Sequence, residues 1–248
     1  MMLLPLYDDN PRTAVPIVTG ALIAACVGVF LWQQSLGPRG EQAADLAYGM
    51  VPAVLFGTAE LPRQLQHVPP VLTLVTSMFL HGGWLHLIGN MLYLWIFGKG
   101  VESALGGPRY LVFYLLCGIA AALTQGLTDP TADVPMIGAS GAIAGTLGAY
   151  LALYPRGNVV VFVWIFIFVR LIAVPAVILL GLWFLGQLLS ALATDPSEPG
   201  VAFWAHVGGF IVGLLLVPFF RRPGVRMLQP RRSAAFLTTP ARRRGPWG

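Results

Sequence analysis

Four polar side chains in apolar surroundings could do chemistry together: Ser140, His206, His86 and Asn90. Ser140 lies in the glycine-laced run Met136–Leu151, which the sequence predicts as a helix over Gly138–Tyr154. A serine near a helix N-terminus meets unpaired backbone N–H groups and the positive end of the helix dipole. Those donors suit a developing oxyanion. A serine hydroxyl is a weak nucleophile until a neighbouring base takes its proton, and a neutral histidine is the usual base. A serine among glycines also fits simple close packing between membrane helices. The stretch alone does not choose between the two.

Depth brings the four residues together. Ser140 lies 16 residues before Arg156, His206 lies 15 before Arg221, and His86 lies 13 before Lys99. At 1.5 Å per helical residue, Ser140 and His206 share a layer ~23 Å from the basic ends of their helices. His86 falls near it, and Asn90 follows one turn deeper on the same helical face. Gly141, Gly145 and Gly148, opposite Gly209 and Gly213, form small-residue faces on the two helices. Such faces allow backbones to approach closely, which could bring Ser140 within hydrogen-bond reach of His206.

Composition sets the class. The chain has 248 residues, 56% of them hydrophobic and 10% charged, where a soluble domain carries about 25% charged residues. This composition is that of a polytopic membrane protein. The net charge of +5 does not point to nucleic acid, because eight of the 15 basic residues follow Phe220 and read as a cytoplasmic tail attracted to membrane lipid. Cys26 and Cys117 fall inside apolar runs and read as packing residues, not a disulfide. No cleavable signal peptide is expected at the start.

Six spans are predicted: Ala14–Trp32, Trp84–Phe97, Arg109–Leu127, Gly138–Tyr154, Ile172–Leu192 and Trp204–Phe220. Residues 1–13 read as a short polar lead. Gln33–Pro70 is a long first loop with surface-lying or re-entrant pieces, and a loop of that length tends to be functional. Val159–Val169 reads as an interfacial stretch leading into the fifth span, and 221–248 as a basic, disordered tail, dispensable for catalysis after Arg226. With six spans, 13 of 15 basic residues share one side with both termini. The positive-inside rule makes that side cytoplasmic.

Three motifs carry a family resemblance. Gly138-Ala139-Ser140-Gly141, Ala205-His206-Val207-Gly208-Gly209 and His81-Gly82-Gly83-Trp84-Leu85-His86 followed by Asn90 resemble those of rhomboid intramembrane serine proteases. They fall in the family's order, and the resemblance covers about residues 5–220. It implies an all-α membrane protein, a six-transmembrane-helix rhomboid-like bundle over 1–220 with a long first outer loop, followed by the tail 221–248. It further implies Ser140 as nucleophile, His206 as general base, and His86 with Asn90 as the oxyanion-stabilising pair. Substrates would be single-span membrane proteins cut near their outer end through an acyl-enzyme, with no metal or other cofactor. The expected location is a bacterial inner membrane.

Two departures stand out. Many relatives place an aromatic residue four after the serine, under the histidine; this chain has Ala144. His206 must then be oriented by something else, Trp204 or a neighbouring helix. The Trp-Arg pair of the first loop is also absent. His81 lies off the His86 face and reads as a structural loop residue. A metalloprotease is disfavoured by the lack of His-Glu-x-x-His, and an aspartyl type because every Asp falls outside the spans. A non-catalytic relative that escorts membrane helices typically lacks the serine or the histidine, and this chain keeps both.

Overall fold

The computed structural model describes residues 2–10, 15–165, 168–194 and 200–230. Arg12, the acidic loop residues Asp195 and Glu198, and the tail beyond 230 therefore lie outside the described residues. In chain order the elements begin with strand β1 (Met2–Asp8). Helices α1 (Ile17–Ser35) and α2 (Gly37–Tyr48) follow. A broken helix comes next, α3 (Pro70–Phe79) and α4 (Trp84–Leu105), bent by 84° between the two parts. Then come α5 (Gly107–Thr128), α6 (Ser140–Leu153), strands β2 (Asn158–Ile165) and β3 (Phe168–Pro175), α7 (Ala176–Ala193) and α8 (Phe203–Phe220).

The protein is a mostly helical membrane bundle. Helices α1, α5, α7 and α8 are each at least 18 residues long with mean hydropathy between 1.7 and 2.1, sufficient to cross a bilayer, and the bent pair makes a fifth candidate. Helix α6 has 14 residues, which is about 21 Å. It is apolar on every side, and every residue from Gly141 to Tyr150 is buried. A helix hydrophobic all round belongs in the middle of a structure. Its main neighbours are α8 and α5. Gly209 of α8 lies so close to the Gly141 carbonyl oxygen that a Cβ there would collide with it.

Several boundaries differ from the sequence expectation, each for a physical reason. Residues 2–8 are not a loose polar lead but a strand, paired antiparallel with β2 from Met2↔Trp164 to Asp8↔Val159. The β-branched run expected as an interfacial stretch pairs with β3 from Asn158↔Pro175 to Ile165↔Phe168. A strand pairing satisfies backbone groups that a single interfacial strand would leave open. Pro175, which has no N–H to donate, ends β3, so the fifth helix starts at Ala176 and not at Ile172. The sheet closes over α6: Tyr150 donates to Asp8 Oδ2 at 2.9 Å, and Asn158 donates to both carboxylate oxygens of Asp9.

The second predicted span does not stop at Lys99. The helix runs on through a π-helical turn at Leu94–Gly98, and Lys99 is only 4% exposed, its ammonium 4.4 Å above the Trp95 ring. The Glu102 carboxylate further along accepts from the N–H groups of Val18 and Thr19 and from the Thr19 hydroxyl, at 2.7–2.9 Å. A buried carboxylate at the N-terminus of α1 is thus matched to the helix dipole. Packing also continues past Phe220. Arg222 donates its N–H to Ala104, while Leu228 and Gln229 donate theirs to Ala152 and Leu153 at the end of α6. Cys26 and Cys117 are free and buried.

Candidate active site

The site is built from the start of α6. Gly138 has φ +120°, a conformation side chains avoid, and its N–H donates to the Ser77 carbonyl at 2.8 Å. A Cβ at Gly138 would lie 2.7 Å from His86 Nε2, so the position is closed to larger residues twice over. The turn delivers Ser140 as the first residue of α6, not the third as the sequence suggested. The first-turn N–H groups there have no partner within the helix.

Helix α8 carries His206 to the serine. His206 Nε2 stands 2.8 Å from Ser140 Oγ, and Nδ1 stands 2.6 Å from Gln187 Oε1 on α7. The ring is 8% exposed. Trp183 tilts over it at 5.9 Å between centroids, and Phe203 meets it edge-on at 6.4 Å. Contact at this range between α6 and α8 depends on the small-residue seam described above, and it gives the geometry of a nucleophile beside its base.

His86 and Asn90 come from α4, one turn apart. The N–H of Gly82 donates to His86 Nδ1 at 3.3 Å, so in the neutral ring Nε2 carries the proton. That nitrogen faces Gly138. Asn90 Nδ2 is buried with no partner among the described residues, and it lies 3.9 Å from where a Gly138 Cβ would be. The two side-chain nitrogens therefore converge at Gly138, two residues before Ser140. All four residues line one cavity of about 760 Å³, with Trp183 and Gln125 among its other walls.

The remaining histidines do other things. His81 is buried, takes a 3.1 Å bond from its N–H to Gln33 Oε1, and meets the His86 ring edge-on at 5.2 Å. His67 stacks on Tyr48 in the first long loop, away from the cavity's four polar residues. Trp204 lines the cavity, and on the side away from Ser140 the His206 ring meets Trp183, Phe203 and Gln187. The sequence reasoning missed Gln187. Its signal was available: an amide in the apolar helix Ala176–Ala193 is as conspicuous as an ionisable group would be.

A half-buried serine bonded to a histidine lines a pocket inside a bundle of membrane helices, and the class is that of an integral, multi-pass membrane protein. A rhomboid-domain profile matches residues 69–223, more than half of the chain, and the chain belongs to the rhomboid family. It is 26% identical over 213 residues to Rhomboid protein 1, mitochondrial, of Saccharomyces cerevisiae, covering 77% of this chain and 58% of that protein. It is 44% identical over 85 residues to Rhomboid protease GluP of Bacillus subtilis, covering 34% of this chain and 16% of that protein. RHOMBOID-like protein 5 of Arabidopsis thaliana is 39% identical over 79 residues, 32% of this chain and 26% of that protein. The chain thus spans less than two thirds of the length of each of these relatives.

Proposed function

We propose that this protein is an intramembrane serine endopeptidase that cuts single-span membrane proteins. The observation that carries the proposal is the 2.8 Å approach of His206 Nε2 to Ser140 Oγ inside the bundle. In the proposed reaction Ser140 Oγ attacks the scissile carbonyl while His206 takes the hydroxyl proton. The oxyanion of the tetrahedral intermediate is held by His86 Nε2–H, Asn90 Nδ2–H and first-turn N–H groups of α6. Collapse breaks the C–N bond, His206 returns the proton to the leaving amine, and an acyl-enzyme on Ser140 remains. Water activated by the same histidine then hydrolyses the ester and frees the serine.

The six-span arrangement, with α6 as the short fourth span, belongs to the same proposal. So do the cytoplasmic termini and the outer-side opening of the cavity, supported by the 13-to-2 division of basic residues. A bacterial inner membrane fits that orientation. The catalytic proposal is tested with a serine-directed fluorophosphonate probe on the purified full chain. Wild type should label at Ser140, and Ser140→Ala and His206→Ala should not. Because a nucleophile and its base act as a unit, the double variant should be no worse than either single one. A folded wild-type protein that neither labels nor cleaves any co-expressed membrane helix would overturn the assignment and favour a helix-binding role.

A further inference from the structure

We propose that Gln187 is the positioning residue for His206, fixing which ring nitrogen is free to act as base. Gln187 has this role only if Ser140 and His206 react as set out above. Neutral imidazole has two tautomers, and only the one protonated at Nδ1 presents a lone pair to the serine at Nε2. The Gln187 carbonyl oxygen, 2.6 Å from Nδ1, can only accept a hydrogen bond. It therefore selects Nδ1–H and leaves Nε2 open toward Ser140 Oγ at 2.8 Å.

The surroundings of α7 support a dedicated polar contact. Of its 18 residues only Ala176, Leu180 and Ala191 are buried, and Leu182, Leu185 and Leu189 are exposed on its outward side. Gln187 is half-buried and aims inward at the imidazole. Trp183, one turn earlier on the same face, supplies the ring contact to His206, and Ala144 of α6 is too small to do so. His206 is thus oriented from α7, by one hydrogen bond and one ring. An amide performs this without placing a second charge in the bundle, where an unpaired carboxylate would be expensive. His86 and Tyr93 of α4 and Asp129, just past the end of α5, are the titratable side chains that line the cavity with His206, and the contacts from α7 are neutral.

The test compares wild type, Gln187→Leu and Gln187→Glu, each as the full chain in detergent, with the fold checked by circular dichroism. The rate of fluorophosphonate labelling at Ser140 is followed from about pH 5 to pH 9. Gln187→Leu should slow labelling at least about tenfold, because nothing then selects the tautomer; in a soluble serine protease a mis-set tautomer drops kcat about 10⁴-fold. Gln187→Glu, once ionised at high pH, has acceptors at both oxygens and no donor to turn toward Nδ1. It should keep a rate near wild type at high pH, while its carboxylate favours imidazolium and moves the acid limb upward by about one pH unit. Should Gln187→Leu fail to fold, the limb in Gln187→Glu decides. Wild-type labelling with an unmoved limb in Gln187→Glu would overturn the positioning role and leave the Ser140–His206 pair intact. No labelling of wild type would instead remove the pair itself.

Discussion

Gly213 of α8 and Gly145 of α6 touch backbone to backbone: a Cβ at Gly213 would fall inside contact distance of the Gly145 carbonyl oxygen. Neither backbone can move aside as a side-chain end could. Gly213→Ala should therefore push the helices apart, at a cost of about 1–3 kcal/mol for an overpacked core. It should also slow Ser140 labelling, although the residue is almost two turns from the dyad. Gly181→Ala on α7, where a Cβ meets nothing within 4 Å, should be tolerated. Thermal unfolding of both variants, with probe labelling alongside, checks the contrast.

His86→Ala and Asn90→Ala should each lower turnover of a membrane-helix substrate by about 10²–10³-fold, the usual effect of losing one oxyanion donor. Asn90 Nδ2 has no partner among the described residues, and the hydrogen bond from Gly82 occupies His86 Nδ1, which leaves the proton on Nε2. Labelling by a small probe should survive in both. Full turnover in both single variants would make the pair structural.

Ala144→Tyr should lose activity. From the sequence alone, an aromatic there is expected to support His206 or do nothing. Ala144 is completely buried on the central helix, and Trp183 already occupies the ring's side. A tyrosine would have to displace packed neighbours. Circular dichroism and labelling together would separate unfolding from a displaced histidine.

Truncation after Pro230 should leave a stable protein, whereas truncation after Arg226 should lower its melting temperature. Leu228 and Gln229 hydrogen-bond to carbonyls at the end of α6, which a helix cannot satisfy for itself. Each bond is worth about 1 kcal/mol. The sequence expectation that residues after Arg226 are dispensable for catalysis concerns activity, and the loss expected here is one of stability.

Asp45 in α2 gives a pH dependence outside the membrane helices. Burial, with Glu41 adding to it, raises its carboxyl from 3.8 to about 6, against a lowering hydrogen bond from Gln33. A carboxyl raised in the fold binds protons the unfolded chain has released, so stability falls as pH rises from about 4 to about 6. Asp45 is half-buried, so solvent screens part of the effect. In Asp45→Asn that decline should flatten, as melting temperatures measured from pH 4 to pH 7 would record.

Ser140, His206, His86 and Asn90 were legible in the sequence because burial of polar groups in a membrane is rare, and because helical rise converts spacing into depth. Apolar length likewise located α1, α5, α7 and α8 to within a few residues. Three things depended on contacts between distant parts of the chain. The β1–β2–β3 sheet joins residues 2–8 to 158–175, and pairing across 150 residues leaves no local periodicity to read. The ends of α4 and α6 moved because Lys99 could be buried against Trp95, and because Gly138 was needed for a turn beneath His86. The third is Gln187. The spacing of Ser140 and His206 gave them equal depth, but which face of α7 turns toward the imidazole is set only by how α7 packs on α8. Depth is a one-dimensional quantity that sequence carries; the rotation of one helix against another is fixed by tertiary packing alone.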